Sequence, residues 1–215
     1  YQMAMSYGFL EKNNAKISEL ENLLTNFELS NFRDDALFQL GNTYSTQKYT
    51  KNAHIAYKKL FKNFPKSSYI ARALLRDGLL FFNDNENTKA LKNYQEIVAK
   101  YPNSSEAKEA VTNAKNVYVD LGTVDEYAIW VKGISFVNIT DAELDNTTYE
   151  SAENKFLAND IPKAIEGFKK YIQAFPEGLH ALQANFYLAQ LLVKTNLEED
   201  AIANYQYVLA LPQSE

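Results

Sequence analysis

Pro65, Pro102 and Pro176 stand 37 and 74 residues apart, each directly behind an aromatic residue that closes an apolar run. The passage reads NFPKSSYIARALL from Asn63, KYPNSSEAKEA from Lys100 and, more loosely, AFPEGLHALQA from Ala174. A stop-and-restart signal that returns at one period marks a chain built from repeats, and it limits the possible folds more than any local propensity does.

The same step of 37 recurs at other positions. Ala53, Ala90, Tyr127, Ala164 and Ala201 share one column, and four residues on stand Tyr57, Tyr94, Val131, Phe168 and Tyr205. A third column reads Leu60, Ile97, Ile134, Tyr171 and Val208. In the preceding half of each unit Ala36, Ala73, Ala110, Thr147 and Ala184 align, followed five residues later by Gly41, Gly78, Lys115, Ala152 and Ala189. Within a unit, apolar residues recur at steps of three and four, as in ALFQLGNTY and AHIAYKKLF, which is the spacing of one helix face. Each unit is therefore expected to be two helices joined by a polar turn such as STQKYTK, NDNENTK or ANDIPK.

The punctuation then has a mechanical meaning. Pro65, Pro102 and Pro176 follow a second helix and stop it, since proline lacks the N–H donor and restricts the residue before it. Ser67 or Ser68, and Ser104 or Ser105 one unit later, are placed to accept a bond from the free N–H groups that start the next helix. Pro162 falls in the first turn of a second helix, where its missing N–H is harmless. Gly41, Gly78, Ala53 and Ala90 let the two helices of a unit approach closely, while Tyr57 or Tyr94 fills the space beside them. Burying one such ring contributes roughly 1.5–3 kcal/mol, too little for a lone hairpin to offset its chain entropy. Neighbouring units must therefore stack.

The expected fold is all-α: a solenoid of stacked antiparallel helix pairs, one domain over residues 1–215. The register gives a partial repeat over 1–28, with Ala4, Tyr7, Leu20, Leu23 and Phe27 in phase, then repeats near 30–66, 67–103, 104–140, 141–177 and 178–215. The opening YQMAMSYGFL and the closing LPQSE read as the ends of a fragment of a longer chain.

The columns resemble the tetratricopeptide repeat: Leu40, Gly41, Tyr44, Ala53, Tyr57 and Pro65 match that family's Leu-Gly, Tyr, Ala, aromatic and Pro positions. The resemblance implies a right-handed superhelical solenoid, and the ordinary repeat has a 34-residue period. The added residues here fall between Pro65 and Gly78 and are expected to lengthen the start of each first helix. This 37-residue variant, with aromatic-Pro-x-Ser leading into it, is similar to the repeats of bacterial cell-envelope proteins of the YbgF and BamD type. That resemblance implies a periplasmic or outer-membrane-associated location. It also implies that the Asn-x-Ser/Thr triplets at Asn103, Asn138 and Asn146 are not glycosylation sites.

Residues 122–149 depart from the pattern. The proline is missing, Tyr127 replaces the small residue, and Trp130 is the chain's one tryptophan. Because the columns resume in phase, this stretch reads as a repeat degenerate in its second half; a partner-binding insertion around Trp130 is the functional alternative.

No catalytic constellation stands out. The two histidines, His54 and His180, lie far apart in the chain, and there is no Gly-rich phosphate loop, HExxH or GxSxG. Zero cysteines exclude thiolate chemistry, disulfides and Cys-ligated zinc. Acidic pairs such as Asp34-Asp35 and Glu198-Glu199 suit helix starts. Neither an enzyme nor a cofactor or metal is expected. With 22 basic against 27 acidic side chains and a net charge of −5, long-range electrostatics favour neither nucleic acid nor anionic membranes.

In a solenoid the first helices line the inner surface. The register puts Phe38, Asn42, Arg72, Leu75, Arg76, Phe82, Tyr149, Phe156, Phe186 and Gln190 on that concave groove. Arg72 and Arg76 are one helical turn apart and suit a carboxylate or phosphate, with Asp35 or Glu109 as internal partners. They also match the basic positions of the carboxylate clamp in chaperone-tail-binding relatives, where Gln39, Tyr1 and Met5 depart from its other positions. The expected function is a non-enzymatic scaffold of the bacterial envelope that holds a peptide or protein partner in this groove. A glycan or small-molecule binding module of the outer membrane, with Tyr149 and Phe186 in an aromatic pocket, is the rival; a cytoplasmic co-chaperone-like adaptor is the third reading.

Overall fold

The computed structural model describes residues 1–210, and among them every regular element is helical. Twelve helices form six antiparallel pairs: α1 (Gln2–Phe9) with α2 (Asn13–Asn26), α3 (Arg33–Thr46) with α4 (Thr50–Asn63), and α5 (Ile70–Asn83) with α6 (Asn87–Lys100). Then follow α7 (Ser105–Leu121) with α8 (Val124–Lys132), α9 (Asp141–Leu157) with α10 (Ile161–Ala174), and α11 (Ala181–Lys194) with α12 (Glu198–Ala210). The chain is thus an all-α solenoid of helix pairs. The expected partial repeat is a complete second helix preceded by a short first one, and the last expected repeat extends past Ala210, outside the described residues.

The six second helices begin at Asn13, Thr50, Asn87, Val124, Ile161 and Glu198, each 37 residues after the one before. The turn that precedes them explains this regularity. Glu11, Lys48, Asn85, Gly122, Asn159 and Asn196 have positive φ, between 56° and 78°, and they too are spaced by 37. Each is the left-handed residue of a Schellman closure, in which the following N–H reaches back to the carbonyl five residues before it: Tyr49 to Tyr44 at 2.8 Å, Glu86 to Phe81 at 2.8 Å, Leu197 to Leu192 at 2.9 Å. The same turn geometry starts each second helix at the same register relative to the helix before it.

Inside a pair the helices meet where a side chain is missing. A Cβ on Gly78 would lie 2.6 Å from the Tyr94 ring, and one on Gly41 would collide with the Tyr57 ring in the same way. Both rings are fully buried. In the α9–α10 pair the close approach is Gly167 against Ala152, with the Phe168 ring buried beside it.

Two compact units divide the chain between Ala114 and Lys115, within α7. In the first unit, a ring near the start of one first helix stacks on the residue that precedes the next: Tyr1 on Phe32 at 4.9 Å and Phe38 on Tyr69 at 4.8 Å. Carboxylates reinforce the stack. Asp35 accepts from the hydroxyls of Tyr1 and Tyr69, and Asp34 accepts from Ser67 at 2.6 Å. In the second unit Tyr149 stacks on His180 at 4.2 Å, and Asp145, three periods after Asp34, accepts from Tyr171 Oη at 2.5 Å and from the Leu179 N–H at 2.7 Å.

The serine caps differ from one another. Ser104 accepts from the Ala107 N–H at 3.1 Å, as expected of a helix start, whereas Ser67 accepts from Tyr69 at 3.2 Å ahead of α5 and spends its hydroxyl on Asp34. Residues 65–69 run as turns, so the added length of the repeat lies before the first helix and not within it. Pro162 sits in the first turn of α10, whose cap Asp160 accepts from the Lys163 N–H at 3.4 Å.

The irregular stretch is a second helix cut short. α8 keeps the register at Val124 but ends after nine residues at Gly133, which weakens a helix by about 1 kcal/mol relative to alanine. Ile134 remains buried in its column although the helix has stopped. Trp130 is half-buried among Tyr118 and Tyr127, 6.1 and 6.3 Å away. A capping box of Thr140 and Glu143 then restarts the chain as α9.

Two stability predictions follow from this packing. Gly78→Ala forces the Tyr94 ring to move and should cost about 1–3 kcal/mol in urea unfolding; an unchanged midpoint contradicts the close approach. Lys48→Gly removes a left-handed cost of about 1–2 kcal/mol against a glycine entropy cost of about 0.5–1 kcal/mol, so the same measurement should show a net gain.

Candidate functional site

Helix α5 carries two arginines one helical turn apart, Arg72 and Arg76. Its buried side holds Ile70, Ala73, Leu74 and Gly78, which leaves Arg72 and Arg76 exposed on the opposite side. The Arg72 guanidinium lies 3.3 Å from Glu106 at the start of α7, not beside Asp35 or Glu109. The Glu106 carboxyl is held below its ordinary range, first by its own backbone N–H and then by Ser105 and Arg72. Arg76 is exposed one turn further along the same face.

The other groove positions separate into two sets. Phe38, Leu75 and Tyr149 are 5%, 4% and 6% exposed. Their column faces the next pair, and Phe38 and Tyr149 form the inter-pair stacks described above, so these three side chains are not presented to a partner. Asn42 is half-buried and accepts from Tyr57 Oη at 2.9 Å. Phe82 is half-buried on α5, near the arginines in sequence. In the second unit Phe156 stacks on Tyr187 at 4.7 Å, Phe186 lies 5.9 Å from the same ring, and Gln190 is exposed one turn on. With Tyr149 buried against Phe168, Tyr171 and His180, it is not free to form an aromatic pocket with Phe186.

A polar network not anticipated from the sequence joins α4, α5 and α6. Asp77 is 5% exposed, with His54 Nδ1 at 2.5 Å from one carboxylate oxygen and the Asn93 amide donating to the other at 3.0 Å. The His54 ring stacks on Phe81 at 4.0 Å. The signal was present in the register, since Asp77 occupies the column of Leu40 and Leu188, where a carboxylate is out of place unless it has partners. Burial pushes the Asp77 carboxyl above its ordinary 3.8, while the His54 and Asn93 hydrogen bonds pull the other way.

No group of three His, Asp or Glu side chains among the described residues is arranged to hold a metal ion. Among those residues no helix is long and apolar enough to cross a membrane.

A raised folded pKa gives Asp77 a stabilising contribution that is complete below the ordinary aspartate value and is lost as pH rises through the raised one. Asp77→Asn, which cannot ionise, should flatten the fall in stability above about pH 4 in urea titrations. An unaltered pH dependence contradicts this assignment.

Comparison with known proteins agrees with this geometry. A tetratricopeptide-repeat family profile matches residues 35–67 and 72–104, the α3–α4 and α5–α6 pairs. No curated protein matches the chain. Among solved structures, a tetratricopeptide repeat protein from Parabacteroides merdae aligns with a TM-score of 0.57 at 15% identity, over 99% of this chain and 78% of its own. PilF of Pseudomonas aeruginosa gives 0.50 at 15% identity, over 99% and 90%. A chain from a structure of Naa15/Naa10 bound to HypK-THB gives 0.58 at 18% identity, over 96% of this chain and 30% of its own. At these identities the likeness is one of fold.

Proposed function

We propose that the chain, two of whose helix pairs match a tetratricopeptide-repeat profile, is a protein–protein interaction scaffold that acts without catalysis, holding an anionic segment of a partner protein along the first-helix face of its first unit. The observation that carries this reading is the pair of exposed guanidiniums, Arg72 and Arg76, one turn apart on α5. Guanidinium recognises carboxylate in a planar, two-bond geometry, and such charge-assisted bonds are about twice as strong as neutral ones. The helices beneath are already ordered, so binding loses little conformational entropy on this side.

A cell-envelope location belongs to the same proposal and is supported by the aromatic-Pro-x-Ser punctuation at Phe64 and Tyr101. The chaperone-tail clamp fits less well. Gln39 accepts from Lys16 at 3.1 Å and Tyr1 stacks on Phe32, so both positions are engaged within the fold. The burial of Tyr149 tells against a sugar-stacking site with Phe186.

Crosslinking in the native cell with the full-length protein identifies the partner, and calorimetry then tests the site. Arg72→Ala with Arg76→Ala should weaken that partner's binding by about tenfold to a hundredfold, since bonds to charged groups contribute about 1.5–3 kcal/mol. The thermal melt should be unchanged. Equal affinity of both forms rules out this face.

A further inference from the structure

Successive second helices leave a groove between them, floored by the first helix that lies between, and the constant register lets grooves from the two units be compared position by position. In the first unit the groove between α2 and α4, over α3, has a volume of about 350 Å³. In the second unit the corresponding groove between α8 and α10, over α9, has about 770 Å³. The difference is written in the side chains. The floor residues Leu37, Leu40 and Tyr44 are replaced, three periods on, by Thr148, Ser151 and Lys155. On the wall Asn52, Ile55 and Ala56 give way to Lys163, Glu166 and Gly167, and across the groove Glu21 becomes Lys132. Bulk has been removed and positive charge added at equivalent places.

The enlarged cavity does not mean a loose unit, because α9 and α10 stay close enough that a Cβ on Gly167 would lie 2.9 Å from the Ala152 Cβ. The hydroxyls of the floor are already used: Thr148 donates to the Leu144 carbonyl at 2.7 Å and Ser151 to the Val119 carbonyl at 3.0 Å. Val124, Ala128, Leu144 and Phe175 supply apolar lining beside them. One polar atom is unmatched. Thr123 Oγ1, in the cavity wall where α8 begins, is buried without a hydrogen-bond partner. Lys155, donating to the Asp120 carbonyl at 2.5 Å, stands at that end, and Lys163 lies in the first turn of α10. Four lysines line the cavity with Asp125 and Glu166; Lys163 also pairs with Asp160 at 3.3 Å, Lys155 with Asp120 at 4.0 Å and Lys170 with Glu166 at 2.8 Å, which leaves Lys132 with no ion pair among the described residues.

We infer that this cavity binds a single-chain anionic amphiphile, a fatty carboxylate, with its alkyl chain between α8 and α10 and its head at the end formed by Thr123, Lys155 and Lys163. The volume lies within the roughly 300–1,000 Å³ of ordinary ligand sites. A peptide would bring backbone N–H and C=O groups that this floor cannot satisfy, whereas an alkyl chain makes no such demand. The head then supplies the acceptor that Thr123 Oγ1 lacks, and the lysines supply its counter-charge. This inference goes beyond the scaffold reading and does not rest on it.

Dodecanoate, titrated into the full chain below its micelle concentration, tests it by calorimetry and by the fluorescence of Trp130 on α8. The expected result is saturable one-to-one binding, at least tenfold stronger than that of dodecyltrimethylammonium, with none for acetate. Thr148→Leu, which returns the first unit's leucine to the floor, should abolish it. Lys163→Glu, at an exposed position, should weaken dodecanoate at least tenfold without shifting the thermal melt, and it carries the test if Thr148→Leu fails to fold. Absence of saturation, equal affinity for the cationic amphiphile, a preference for an acidic amphipathic peptide, or undiminished binding by Lys163→Glu overturns the assignment.

Discussion

In the regular pairs a ring on the second helix faces a position on the first that has almost no side chain. Tyr57 on Gly41 and Tyr94 on Gly78 are the plainest cases, with both rings out of contact with solvent. The contact is local, and its energy is small beside the entropy of ordering two helices, about 1–2 kcal/mol for each backbone residue fixed. Every pair must therefore share its remaining apolar face with the next. The inter-pair stacks and the Asp34, Asp35 and Asp145 bonds are the means by which it does so, and the repeated left-handed turn aims each helix so that they can form.

Most of this was legible in the sequence, because a repeat states its rules several times over. The small, aromatic and proline columns mark the chain as an all-α stack of helix pairs and put Tyr57 and Tyr94 beside Gly41 and Gly78. Less legible was which side of a first helix faces a partner. Phe38, Leu75 and Tyr149 share a column that suggests a groove, yet in a 37-residue repeat the residues before the helix fold back over that column and bury it. The left-handed turn column is not legible in the sequence, because Glu11, Lys48, Asn85 and Asn159 share a conformation and no side-chain type. Asp77 was visible as a break in an apolar column, but its partners His54 and Asn93 sit on two other helices and only the packing brings them together.

A constant register frees the remaining positions to vary. Buried columns are nearly the same in both units, whereas the outward faces differ strongly, with two arginines on α5 and an emptied, lysine-lined groove beside α8. The shortening of α8 at Gly133 changes the length of one helix without disturbing the start of the next second helix, so local novelty is carried on an unaltered frame. The buried columns and the outward faces thus use separate sets of residues.

Dependence of each pair on its neighbour is the central physical claim, and hydrogen–deuterium exchange on the intact chain carrying Tyr94→Ala addresses it directly. Emptying the α5–α6 core should accelerate amide exchange in α3 and α4 as well as in α5 and α6, because the stacked pair loses its support. Faster exchange confined to α5 and α6, with α3 and α4 protected as in the parent chain, would show that the pairs stand alone and would contradict the account.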